Sequence, residues 1–327
     1  MEKKINKDEL YLLKECSSIS DTKLNELLEE HSYAKVSEWR MFISYFILAL
    51  GAGLALSGVV FFFAYNWTEM SSFVKFAVII LLLIAAIGLS VVKGMNSLIG
   101  KVALLGGSVL IGVLFAVFGQ VYQTGANAYD LFLMWVLAIT AWTFVSKFTP
   151  QWLLYAVLAN TTLSLYFIQA VKGSNAFYVL LSLLVLNLLL LGLPYVIGKF
   201  QEFKAAIYYK VIMTFACYVI GVVGIAFIVF TNNLKYSKSE LTGMIPLSVI
   251  TIAGIILGYV QSERRKDILL YSYSLLAIVS IGFIVLLRLF DIGIGSLLVY
   301  AIYIVGATMG MIKMITGKLK MWKDERA

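Results

Sequence analysis

Two short polar passages interrupt a chain that is otherwise apolar over most of its length, and they hold the residues best suited to chemistry. The first is Tyr65-Asn66-Trp67-Thr68-Glu69-Met70-Ser71-Ser72. The second is Gly119-Gln120-Val121-Tyr122-Gln123-Thr124-Gly125-Ala126-Asn127-Ala128-Tyr129-Asp130. Together they supply two carboxylates, Glu69 and Asp130, among amides and hydroxyls, and the second contains no cation. Carboxylates near a membrane surface stay hydrated enough to remain ionised, and amides add directional hydrogen bonds, so this set suits a small polar or cationic solute. The expected binding residues are Tyr65, Asn66, Glu69, Gln120, Tyr122, Gln123, Asn127 and Asp130, with Arg288 as a counter-charge when the site is empty. Gly119 and Gly125 permit unusual dihedrals, so the second passage could dip below the interface. Both passages also read as ordinary interfacial turns, with Trp67, Tyr122 and Tyr129 as aromatic anchors. Arg288 could equally pair with Asp291, three residues on.

Other chemistries find little support. The single histidine, His31, sits in a polar arm without neighbouring cysteines, so neither a metal ligand nor a catalytic base is expected. Gly106-Gly107-Ser108 lies inside an apolar run and reads as helix packing rather than a phosphate loop. No Ser/His/Asp set can be assembled, so no catalytic residues, metal or cofactor are expected. No Asp or Glu falls at the middle of an apolar run, so the midplane carboxylate of many ion-coupled carriers is missing. The embedded amides Asn160, Gln169 and Asn187 could line a path or bond to neighbouring helices.

The elements that must position these residues are set by composition. Of 327 residues 61% are hydrophobic and 13% charged, against roughly 25% charged in soluble domains. Apolar blocks of about 20 residues, enough for a helical crossing, predict spans near 41–65, 72–92, 99–120, 129–147, 150–170, 175–197, 206–230, 242–261, 268–288 and 293–314. The fold class expected is all-α: a polytopic transmembrane bundle of about ten helices. Residues 1–40 form a cytosolic arm, a hairpin of short helices over Glu9 to Cys16 and Asp21 to Glu30. Residues 41–316 form the membrane domain and 317–327 a basic tail. The arm carries both charge signs and the first apolar run starts at Met41, which is not the order of a cleavable signal. Forty residues are too few for an independent core, so the arm must dock on the membrane domain or on a cytosolic protein.

Lysine and arginine set the orientation. One side holds the arm, the Lys93/Lys101, Lys147, Lys199/Lys204 and Arg264-Arg265-Lys266 connections and the tail from Lys313, 20 basic residues in all; the other holds five. Both termini are therefore expected in the cytoplasm. The net charge of +8 belongs to loops that face anionic lipid, so no nucleic acid is expected as a partner. Gly254/Gly258, Gly306/Gly310, the Gly51, Ala55, Gly58 face and Ser108/Gly112 are expected as helix seams rather than dimer contacts. Similar endings of the first and seventh spans suggest that spans 1–4 and 7–10 are parallel repeats. The cysteines, Cys16 in the arm and Cys217 in a span, do not form a disulfide framework.

Phe-Phe-Ala-Tyr-Asn-Trp67, Ser72-Phe-Val-Lys75-Phe and Phe-Gly-Gln120-Val-Tyr-Gln123-Thr-Gly125-Ala-Asn-Ala-Tyr-Asp130-Leu-Phe-Leu-Met-Trp135 resemble a family of bacterial membrane proteins, domain of unknown function 2157, over residues 1–147. The resemblance implies a bacterial cytoplasmic (inner) membrane and a polytopic helical fold, and no established activity. The function expected is a transporter or channel-like protein that engages a small solute from the extracytoplasmic side. The alternative is a non-catalytic scaffold or sensor whose arm binds a cytosolic partner. A lipid-modifying enzyme at the outer interface is a third reading.

Overall fold

The computed structural model describes residues 20, 22–24, 27, 36–65, 69–171, 173, 175–201, 205–231, 238–290 and 293–325. Asn66, Asp291 and the expected first arm helix lie outside them, as does most of the second. Ten long helices follow one another: α1 Val36–Tyr65, α2 Ser72–Lys93, α3 Leu98–Tyr122, α4 Ala128–Val145, α5 Thr149–Gln169, α6 Ala176–Gln201, α7 Ile207–Phe230, α8 Lys238–Arg265, α9 Ile268–Leu289 and α10 Ile294–Asp324. They match the ten apolar blocks one for one. Two differences stand out. α1 begins at Val36, before the apolar block, and α10 runs without a break through the residues expected to form a separate tail.

The chain divides into two units, Met1–Lys75 and Phe76–Ala327. In the first, Ser20 begins a helical turn as an N-cap residue would, its Oγ accepting from Lys23 N–H at 3.4 Å. α1 then presents an apolar surface, with Phe42, Leu54 and Phe61 all more than half exposed. A surface of that extent belongs in lipid.

In the second unit the core passes from helix to helix. Ile111, Val136, Ile139 and Leu158 join α3, α4 and α5. Trp152, Leu190, Tyr209 and Met213 join α5, α6 and α7. Phe177, Leu184, Cys217 and Leu247 join α6, α7 and α8, and Tyr271, Leu275 and Trp322 join α9 and α10. Lipid offers helices no hydrophobic drive to associate, so close approach of backbones matters. Gly224 is one such point: a Cβ there would lie 2.8 Å from Leu247 Cδ2. Gly258 is another, seated against the Tyr218 hydroxyl.

Nine of the described helices are long and apolar enough to cross a bilayer; the exception is α5. Its 21 residues are sufficient in length but include Gln151, Asn160, Thr161, Thr162 and Gln169. Each of these side chains bonds within the protein. Gln151 is fully buried, its Oε1 accepting from Ser108 Oγ and its Nε2 donating to Thr143 Oγ1 at 3.0 and 3.1 Å. Thr161 and Thr162 donate to carbonyls four residues back. Backbone and side-chain polar groups at membrane depth must be satisfied internally, and these amides and hydroxyls meet that condition on a helix packed between α4 and α6.

Candidate functional site

The second polar passage folds into a reversal between α3 and α4. α3 ends at Tyr122, and Gln123 takes the left-handed conformation (φ 44°, ψ 47°) in which glycine usually caps a helix. Gly125 follows with φ 64°. Two such residues in three positions turn the chain tightly enough for Asn127 to start α4 in an extended conformation. Asn127 N–H donates to Asp130 Oδ2 at 3.1 Å, which is half of a capping box. Asp130 thus sits in the first turn of α4, where the helix dipole favours a negative charge. Tyr129 N–H, another donor left over at the helix start, donates to Gln169 Oε1 at 3.0 Å. The end of α5 therefore pins the start of α4, and the Tyr129 and Tyr166 rings reinforce the joint edge to face at 5.5 Å.

This reversal closes one end of a cavity of about 860 Å³. Gln120, Gln123, Thr124, Asn127 and Asp130 give it a polar side. Phe76, Leu114, Phe115, Phe118, Leu131 and Met134 give it an apolar side. Among the described residues, Asp130 is the only charged one in the lining. From Gln120 to Leu114 the cavity descends six residues of α3, about 9 Å at the helical rise. Two residues before Leu114 on α3, Gly112 meets the Trp135 ring with no room for a Cβ between them. Trp135 Nε1 donates to the carbonyl oxygen of Ser108 at 2.7 Å, fixing the indole across the α3–α4 seam.

Of the residues expected to bind, Gln120, Gln123, Asn127 and Asp130 are brought together in this lining. Tyr122 is not in it; its ring packs on Phe118 at 4.8 Å and Phe76 at 5.9 Å. Tyr65 and Glu69 belong to the first unit, where both are exposed. Arg288 ends α9, which packs on α7, α8 and α10, and it does not line the cavity. Thr124 and the aromatic wall of Phe76 and Phe118 join the site without having been expected. Phe118 lies two residues before Gln120, so the apolar wall was present in the same passage that marked the polar one. Nothing in the sequence signals the Trp135 contact, because its partner Gly112 lies on another helix.

The helices and cavity define a polytopic α-helical membrane protein. Residues 13–152 match the model of a family described as a predicted membrane protein (DUF2157). That stretch contains both polar passages, α1 to α4 and the first residues of α5; the helices from α6 onward lie beyond it. No curated protein and no solved structure matches the chain.

Proposed function

We propose that the protein takes up a small cationic or polar solute from the extracytoplasmic side of a bacterial cytoplasmic membrane, with both termini in the cytoplasm. The observation that carries this reading is the cavity above: among the described residues its lining holds one carboxylate, three amides and no cation. An ammonium or metal cation entering it meets Asp130 at the wall, amide oxygens beside it and aromatic faces opposite. The basic bias of the other side of the chain supports the orientation. On this reading Trp135 is the inner barrier, and passage of a solute requires its indole to leave Gly112 and Ser108.

The same barrier favours a second reading, a solute-sensing scaffold, because Trp135 is packed on Gly112 and the polar groups of Ser108, Thr143 and Gln151 bond to one another. One experiment separates the two. Purified protein is screened by thermal shift against potassium, ammonium, choline, spermidine and neutral glycerol, then tested for flux of the responding solute in proteoliposomes. A cation response that weakens at least tenfold in Asp130→Asn supports binding at this site; a charge-assisted bond is worth about 1.5–3 kcal/mol, and 1.4 kcal/mol is tenfold. Asparagine keeps the shape and a capping oxygen, so loss of stability stays below about 1 kcal/mol. Flux assigns transport, and binding without flux assigns sensing. No response from any cation, or an unchanged response in Asp130→Asn, sinks the site.

A further inference from the structure

A second cavity, of about 640 Å³, lies between α6, α7 and α8. Its two ends differ in chemistry. Leu184, Leu188, Ile250 and Ile255 wall one end, whereas Lys210, Gln261 and Arg265 stand at the other. The middle is open at Gly192 and Gly254, where a Cβ would meet nothing within 4 Å. From Ile250 to Gln261 the cavity follows eleven residues of α8, about 16 Å of helix. The hydrocarbon of one leaflet is about 15 Å deep, half of the bilayer core. The groove's length thus matches the depth of one leaflet, and Arg265 lies one turn beyond Gln261.

The charges at this end are unequal. Lys210 Nζ is held by Asp267 Oδ2 at 2.6 Å. Arg265 has no carboxylate partner among the described residues. An arginine fork presents paired donors that match a phosphate, and basic pockets between spans on the cytoplasmic side suit anionic headgroups.

We infer that this groove holds an anionic phospholipid, with an acyl chain along α8 and its phosphate on Arg265. Lys210 and Gln261 add donors beside the phosphate, and the chain occupies the space left by Gly192 and Gly254. The site is independent of the solute cavity, because it is built on different helices.

The test uses the full chain in mild detergent, with equal amounts of phosphatidylglycerol and phosphatidylcholine added, read by native mass spectrometry. Phosphatidylglycerol is expected to be retained several-fold over phosphatidylcholine. Arg265→Gln should remove that preference, whereas Arg264→Gln should leave it, because Arg264 makes the same charge change next door without lining the groove. Gly254→Leu should lower retention of both lipids by filling the chain's path. Equal retention of the two lipids by the wild type would overturn the inference, as would equal losses in both arginine variants, which report only general charge attraction. Unchanged retention in a folded Gly254→Leu protein would do the same. Arg265 is exposed, so its exchange leaves the packed helices intact and the arginine comparison decides even if Gly254→Leu does not fold.

Discussion

Asn160 on α5 and Asn187 on α6 bond to each other through both amides: Asn187 Nδ2 donates to Asn160 Oδ1 at 2.6 Å, and Asn160 Nδ2 donates to Asn187 Oδ1 at 3.3 Å. Each Nδ2 directs its other hydrogen to the carbonyl four residues back, Leu183 O and Ala156 O, both at 2.8 Å. Every donor of the pair is used. Of the two roles open to these amides from sequence, path lining and helix bonding, the geometry fits the second.

Replacing one partner should therefore cost more than half of replacing both. Asn160→Leu or Asn187→Leu leaves an amide oxygen facing an apolar side chain, and each is expected to lower stability by about 1 kcal/mol. The double variant should cost less than the sum of the singles. Thermal or denaturant unfolding of the four proteins in one detergent gives the cycle, and strict additivity would show that the pair contributes nothing as a pair.

Gly112 and Trp135 make a second prediction. An added methyl at position 112 collides with the indole and displaces it from the Ser108 carbonyl. Gly112→Ala is expected to destabilise by about 1–3 kcal/mol, the usual range for overpacking. Gly88→Ala, where a Cβ meets nothing within 4 Å, is the matched control and should hold or slightly gain stability through helix propensity. Equal midpoints for the two variants would contradict the tight seam.

The Lys210–Asp267 pair predicts a pH dependence. Burial pushes the Asp267 carboxyl up, but the hydrogen bond from Lys210 and those from the backbone at Leu270 and Leu269 outweigh it, so the net shift is downward. A carboxylate whose value is depressed by folding stabilises the fold above its unfolded value, about 3.9, and loses that contribution as pH falls through the folded value. Asp267→Asn should thus be less stable than the wild type at neutral pH, and the gap should close on acidification below about pH 4. A gap that is constant across the acid range would show that the carboxylate's charge is not what Lys210 stabilises.

Orientation is open to labelling. In a background without Cys16 and Cys217, Ala126→Cys and Arg265→Cys place thiols at opposite ends of the bundle. An impermeant thiol reagent on intact cells should label position 126 and spare 265. The reverse pattern would invert the topology and move the solute cavity to the cytoplasmic side.

The helices were readable because crossing a bilayer imposes a length and an apolarity that few other constraints imitate. α5 was readable by spacing alone; its polarity, which would otherwise argue against a span, is accounted for by Ser108, Thr143 and Asn187 on the helices around it. The polar side of the cavity was readable because amides stand out in apolar text. Which residues turn inward was not: Tyr122 lies between Gln120 and Gln123 in sequence, yet its ring packs on Phe118 rather than lining the space. Which helices adjoin was not readable either, so Arg288 could be grouped with Asp130 only through their shared end of the bundle. Glycine spacing misled in part. Gly306 and Gly310 fit the close-packing pattern, but a Cβ on either meets nothing within 4 Å, whereas Gly224, which stands in no such pattern, lies against Leu247. The groove of α6, α7 and α8 is an absence of side-chain volume, and single-chain periodicity carries no record of that.

α10 has 31 residues, about 46 Å of helix, against a hydrocarbon core of about 30 Å. Its last turns are not loose: Lys318 pairs with Glu263 of α8 at 2.7 Å, and the Trp322 ring meets Tyr271 of α9 edge to face at 5.8 Å. A tilt or slide of α10 within the bilayer would act at these two contacts on the ends of α8 and α9. A fluorophore fused after Asp324 would therefore report the posture of three helices at once, and cutting the chain before Lys318 would uncouple them while leaving the apolar length needed to span.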